Sequence, residues 1–145
     1  MLENLKANLD RPEVTELLEM AMFPDPDIVQ MALDAYRHDP QLELLGYWDE
    51  DGELTGVIGL RMNEERVLDI RHLAVDPAKR GFGHGRQIVL ETLALKDPVE
   101  IVAETDAEAV EFYRNIGFVI ESLGELYPGA ERFRCRYVVN PEAEE

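Results

Sequence analysis

Between Arg80 and Gly85 the chain reads Arg-Gly-Phe-Gly-His-Gly, set between the apolar run 70–75 and a helix-like stretch at 86–95. Glycine admits positive φ, which lets successive backbone N–H groups turn toward one anion. A helix starting just afterwards adds unpaired N–H groups and the positive end of its dipole. Lys79 and Arg80 bring charge beside the turn. The chemistry this suits is the holding of a phosphate. Two other phosphate loops are excluded: no Lys-Ser or Lys-Thr pair follows the glycines, as a P-loop requires. Gly81, Gly83 and Gly85 also fall at every second position, not in the Gly-x-Gly-x-x-Gly spacing of a dinucleotide fold.

Other chemistry-bearing residues are sparse. Cys135 is the only cysteine, which rules out an internal disulfide and any zinc site needing two thiolates. It lies in the alternating run 132–139 and reads as a small apolar residue on a half-buried strand. His38, His72 and His84 have no metal-ligand spacing, so no metal is expected. The net charge of −17 opposes nucleic-acid binding, because a phosphate backbone would be repelled. The charge is uneven, however. Residues 61–90 carry six Arg or Lys against four acids, a net +2 that leaves −19 on the remainder, so a small anion is drawn to this segment and an amine or cationic substrate to the acidic remainder.

At 145 residues the chain has the length of a single domain, and no apolar stretch is long enough for a membrane span. The N-terminus lacks the basic and apolar blocks of a secretory signal, which makes the cytoplasm the expected compartment.

The elements that must position the loop follow from periodicity. Pro12 opens a helix over 12–22. A second helix, capped by Asp27, carries Ile28, Met31, Ala32, Ala35 and Tyr36 on one apolar face. Residues 42–48 and 54–61 predict an antiparallel hairpin about the turn Asp49-Glu50-Asp51-Gly52, and 67–75 a third strand ended by Pro77. After the loop come a helix over 86–95 and a buried strand over 99–103. The strand, helix, strand order favours parallel pairing with the third strand. Thr105 with Glu108 forms a capping box for a helix running to Asn115 with Gly117 at its C-cap. Two last strands, 118–123 and 133–139, flank the Pro128-Gly129 turn, and 141–145 is an acidic tail expected to fray.

Two segments together resemble the GNAT superfamily of acyl-CoA-dependent N-acyltransferases. Arg80-Gly81-Phe82-Gly83-His84-Gly85 is similar to the family's Arg/Gln-x-x-Gly-x-Gly/Ala pyrophosphate loop, preceded by Leu73-Ala74-Val75-Asp76-Pro77. The stretch 109–118, Ala-Val-Glu-Phe-Tyr-Arg-Asn-Ile-Gly-Phe, is similar to its Ala-x-x-Phe-Tyr-x-x-x-Gly-Phe element. The likeness covers roughly 41–139, with 1–40 as a helical acceptor-side segment, all in one domain over 1–145. The fold it implies is α/β (α+β): a mixed, mostly antiparallel sheet flanked by helices, with a central parallel strand pair splayed to admit acetyl-CoA. Two departures stand out. The family opens with a strand, whereas the residues ahead of Pro12 show only a short Leu-rich stretch, so that strand is expected to be missing or replaced by helix. Asp106 stands where the family frequently has Asn.

The activity implied is transfer of acetyl from acetyl-CoA to a primary amine of a small molecule or peptide by direct attack, through a tetrahedral oxyanion, with CoA thiolate leaving. By resemblance, Leu73, Ala74 and Val75 contact pantetheine and acetyl. The stretch Lys79, Arg80, Gly81, Phe82, Gly83, His84 and Gly85 holds the pyrophosphate, and Ala109 and Phe112 complete the cofactor contacts. Tyr113 matches the family tyrosine that protonates the leaving sulfur. No obvious carboxylate base precedes Leu73. Asp69, Glu64, Glu65 and His72 are the candidate bases, and His72 is the one whose intrinsic pKa suits proton transfer near neutrality. An alternative is an acyl-CoA-binding sensor or interaction module with the same fold and no productive transfer. The sequence leaves open whether two copies form a homodimer.

Overall fold

The computed structural model describes residues 2–22 and 25–139. The acidic tail expected at 141–145 lies outside them. In chain order the elements are strand β1 (Leu2–Asn4), helices α1 (Pro12–Met20) and α2 (Pro26–His38), strands β2 (Leu42–Trp48), β3 (Leu54–Met62) and β4 (Val67–Val75), helix α3 (His84–Lys96), strand β5 (Glu100–Asp106), helix α4 (Val110–Ile116), and strands β6 (Val119–Glu125) and β7 (Glu131–Val138). The sheet order is β1-β2-β3-β4-β5-β7-β6, mostly antiparallel, with β4 and β5 the parallel pair. The fold class implied by the resemblance is thus the one observed.

The chain divides into two compact units. One takes the residues up to Arg61 together with Arg71–Asp97; the other takes Met62–Ile70 together with the residues from Pro98 on.

In the first unit β1 pairs with β2, Leu2 opposite Tyr47 and Asn4 opposite Leu45. The opening strand expected to be missing is therefore present. Its shortness hid it, since Leu2–Asn4 is too brief to show an alternation and is held by its partner's register. Pro12 stands at the first turn of α1, where its missing N–H costs no hydrogen bond, and Val14, Leu17 and Leu18 are buried at helical spacing. The cap of α2 is Asp25, not Asp27: the Asp25 carboxylate accepts the Asp27 N–H at 2.8 Å. Pro26 suits the first helical position, which starts the helix two residues earlier than expected. The buried stripe of α2 is Val29, Leu33 and Tyr36, while Ile28 and Met31 are 41% and 71% exposed, so the expected face is rotated. This stripe joins Leu5, Leu9, Val14, Leu17, Leu18, Leu44, Val57 and Ala74 in one apolar cluster.

The expected antiparallel β2–β3 hairpin forms, with Leu42 opposite Arg61 and a bulge at Tyr47/Trp48. Helix α3 begins at His84, two residues before the expected start, which moves His84 and Gly85 from the loop into the first helical turn. Ile88, Val89 and Thr92 form its buried face, while Leu95 is exposed.

In the second unit the parallel ladder joins Val67 to Glu100 and ends with Ile70 opposite Ala103, whereas β5 runs on to Asp106 against Arg132 of β7. That pairing overturns the capping box. Thr105 is a buried strand residue opposite Phe133, and α4 starts only at Val110. A ladder hydrogen bond and burial outweigh a local cap here. Asp106 turns the chain instead, its carboxylate accepting the N–H groups of Glu108 at 3.1 Å and Ala109 at 3.0 Å. Gly117 ends α4 with φ 116, as expected.

Candidate active site

The glycine loop is built from the end of β4. The Asp76 N–H donates to the Thr55 carbonyl at 2.8 Å, and the Asp76 carboxylate accepts the Ala78 N–H at 3.0 Å, setting a 3₁₀ turn over Pro77–Lys79. Arg80 turns back, its Nε donating to the Val75 carbonyl at 3.1 Å. Gly81 and Gly83 then take φ of +90 and +80, and the space around each is open. Gly83 is the N-cap of α3. It has no side chain to offer, so no side-chain oxygen occupies the first-turn N–H groups. A loop of this conformation, feeding a 13-residue helix whose amino end is uncapped, fits a phosphate group. Phe82 is 77% exposed at the tip, and the His84 ring lies 5.9 Å from that of Tyr47.

Lys79 is placed differently from Arg80. Its ammonium lies 2.5 Å from both the Asp49 and the Glu53 carboxylates, fastening the 3₁₀ turn to the β2–β3 turn. Asp49 also accepts the N–H groups of Asp51 and Glu53 and the Thr55 hydroxyl. The Lys79 bond first, then the Glu53 N–H, hold the Asp49 carboxyl well below the usual carboxylate range. Reciprocally, Asp49 and then Glu53 hold the Lys79 ammonium above its ordinary value.

On β4, Leu73 and Val75 are half-buried and Ala74 is buried. His72 meets a residue that no sequence spacing links to it: the Tyr36 hydroxyl lies 2.5 Å from His72 Nδ1. Burial first, and then the Arg71 charge, lower the His72 pKa to about 4. The imidazole is therefore neutral at pH 7 and only weakly basic, which corrects the expectation of an unperturbed value near neutrality. Tyr36 and His72 line a cavity of about 160 Å³ together with Ala32, Ala35, Leu42, Arg61 and Arg71.

In the second unit Ala109 is the N-cap of α4 and accepts the Phe112 N–H at 3.1 Å. Tyr113 is buried edge-on between Phe112, 5.1 Å away, and Phe118, 5.2 Å away, and Phe118 continues to Tyr137 at 5.4 Å. Burial first, and the neighbouring Cys135 second, push the Tyr113 hydroxyl above its ordinary value, so it keeps its proton through the neutral range. Cys135 itself is buried, with its thiol pKa raised by burial. Among the described residues no group of three or more His, Cys, Asp or Glu could hold a metal ion, and no helix is long and apolar enough to cross a membrane.

The model of the acetyltransferase (GNAT) family matches residues 10–118. The chain belongs to the GNAT family. Solved GNAT structures share its fold. An acetyltransferase of Bacillus subtilis in complex with CoA is 21% identical, with a TM-score of 0.72 over 95% of this chain and 97% of that one. The spermidine/spermine N-acetyltransferase SpeG of Vibrio cholerae, solved with manganese ions, is 20% identical, with a TM-score of 0.73 over 99% and 95%. A GNAT-family protein of Desulfovibrio desulfuricans is 20% identical, with a TM-score of 0.77 over 95% and 98%. GNAT enzymes use acetyl-CoA and act on amine acceptors. Sequence reasoning missed Tyr36, Gly59 and Arg61 around His72. Tyr36 sits on a different element, and no spacing rule links Gly59, which faces Tyr36, or Arg61 to His72.

Proposed function

We propose that the chain is an N-acetyltransferase that moves the acetyl group of acetyl-CoA to a primary amine by direct attack. The observation that carries the reading is the paired positive φ of Gly81 and Gly83 at the uncapped amino end of α3. The N–H groups of residues 80–85 hold the pyrophosphate, Phe82 and His84 flank it, and Arg80 adds charge. Lys79, engaged by Asp49 and Glu53, supports the loop from behind. Leu73, Ala74 and Val75 offer the β4 backbone to the pantetheine arm and acetyl group, with Ala109 and Phe112 completing the cofactor contacts.

Bound acetyl-CoA supplies an activated acyl group on a thioester. Tyr113, which burial keeps protonated, donates to the sulfur as the carbon–sulfur bond breaks, a concerted step because a phenol with a raised pKa does not protonate a free thiolate. His72, neutral above about pH 4, accepts the proton lost by the attacking amine, directly or through water.

The test is release of free thiol from acetyl-CoA in the presence of a panel of primary amines, with wild type and Tyr113→Phe side by side. Amine-dependent release that drops about a hundredfold in kcat on Tyr113→Phe, with acetyl-CoA affinity unchanged, is the expected result. Binding of acetyl-CoA with no release on any amine contradicts the reading.

A further inference from the structure

Resting on the acetyl-transfer reading, we infer that the recess beside His72 receives a carboxylate of the acceptor, so that the amine acetylated is an acid-bearing one. The cavity of about 160 Å³ is too small for a whole drug-sized ligand and has room for a carboxylate and a short arm. Its wall is apolar and its polar members are Arg61, Arg71, His72 and Tyr36. No carboxylate lines it, in a chain whose acids outnumber its Arg and Lys 31 to 14. A polyamine entering here would meet two guanidinium groups on the wall.

Arg61 is the group suited to the anion. One N–H of its guanidinium goes to Gln41, which steadies the side chain, and a guanidinium carries five donors in a fork that matches a carboxylate. Arg71 makes further contacts of its own and contributes here through its charge. The Tyr36–His72 bond fixes the imidazole and leaves its second nitrogen as the acceptor for the amine proton, so the guanidinium, not the imidazole, holds the carboxylate. The same positive charges that hold a carboxylate disfavour an ammonium nearby, which raises the share of free amine able to attack.

The experiment compares glycine, β-alanine and glutamate with their carboxamides, and with spermidine, in the thiol-release assay. In parallel the ¹⁵N and ¹H signals of the His72 ring are followed as each compound is added to the CoA-bound protein. At least one acid is expected to exceed its amide about tenfold or more in kcat/KM, through KM. That preference is expected to fall to about threefold or less in Arg61→Gln and to take an intermediate value in Arg61→Lys, which keeps the charge and loses the fork. The acids, not the amides or spermidine, are expected to shift the His72 signals. Equal or better use of the amides or spermidine overturns the inference while leaving acetyl transfer intact, and so does an acid preference untouched by Arg61→Gln. If acetyl-CoA binds and no amine is acetylated, the transfer reading fails. The His72 signals then decide alone: a shift with the acids supports a carboxylate site, and no shift rules it out.

Discussion

The Tyr36 hydroxyl stands 2.5 Å from His72 Nδ1 and directly above Gly59. A Cβ at position 59 would lie 1.7 Å from the Tyr36 oxygen and 2.6 Å from Cζ, and Tyr36 is only 1% exposed, so the ring has nowhere to go. The absence of a side chain on β3 is what lets a residue of α2 reach one of β4.

Gly59→Ala is therefore expected to destabilise the fold by about 2 kcal/mol or more through overpacking. Tyr36→Phe, which strips His72 of its partner, is expected to cost about 1 kcal/mol. The double variant is expected to be less destabilised than the sum, because removing the oxygen relieves the closest part of the clash. Urea denaturation of the four proteins checks this, and a Gly59→Ala midpoint equal to wild type would place Tyr36 elsewhere.

The depressed His72 pKa ties stability to pH. An unfolded chain takes up a proton at this histidine as pH falls below about 6.5, while the folded chain resists until about pH 4. The contribution is thus complete above pH 6.5 and is lost as pH falls through that window, by about 3 kcal/mol at most. Subtracting the stability of His72→Asn from that of wild type at pH 7 and at pH 4 isolates the effect, since the carboxylates are common to both. A difference that does not change with pH would mean that the imidazole titrates normally.

The strands were readable because β2, β3 and the hairpin turn between them are local in sequence and alternate as half-buried strands do. The loop was readable because three glycines and two cations sit side by side. Most of what escaped depended on partners distant along the chain, the cap of α2 being a local exception. Thr105 with Glu108 satisfies every local rule for a helix start, and the pairing of Thr105 with Phe133 overrules it. Asp25 and Asp27 are equally good caps by type, and Pro26 between them settles which serves. Tyr36 read as one more residue on an apolar stripe. Its meeting with His72 and Gly59 requires three elements to be folded together.

Lys79 separates loop support from ligand contact. Because Asp49 and Glu53 engage its ammonium, Lys79→Met is expected to lower the melting temperature while changing acetyl-CoA affinity less than about threefold, the direct charge being spent within the protein. Calorimetry and titration on one sample give both values. A large loss of affinity with unchanged melting would assign the ammonium to the ligand.

Cys135 is expected to be inert in the native protein, since burial both raises its thiol pKa and blocks access. Its alkylation by iodoacetamide is expected to follow global unfolding as denaturant is added. Fast alkylation in native buffer would mean that β7 opens locally.

The most direct measurement is calorimetric titration of acetyl-CoA into wild type and into Gly81→Val and Gly83→Val. Neither glycine has a neighbour within 4 Å that a side chain would strike, so these variants are expected to fold. Their φ of +90 and +80 is strained for any residue with a Cβ, and the loop is expected to lose the conformation that turns its N–H groups to the pyrophosphate. Micromolar binding to wild type, weakened about tenfold or more in each variant while each stays folded with a modestly lowered melting temperature, is the expected result. Wild type that fails to bind at millimolar acetyl-CoA, or variants that bind as tightly as wild type, would contradict a pyrophosphate held by the amides of residues 80–85.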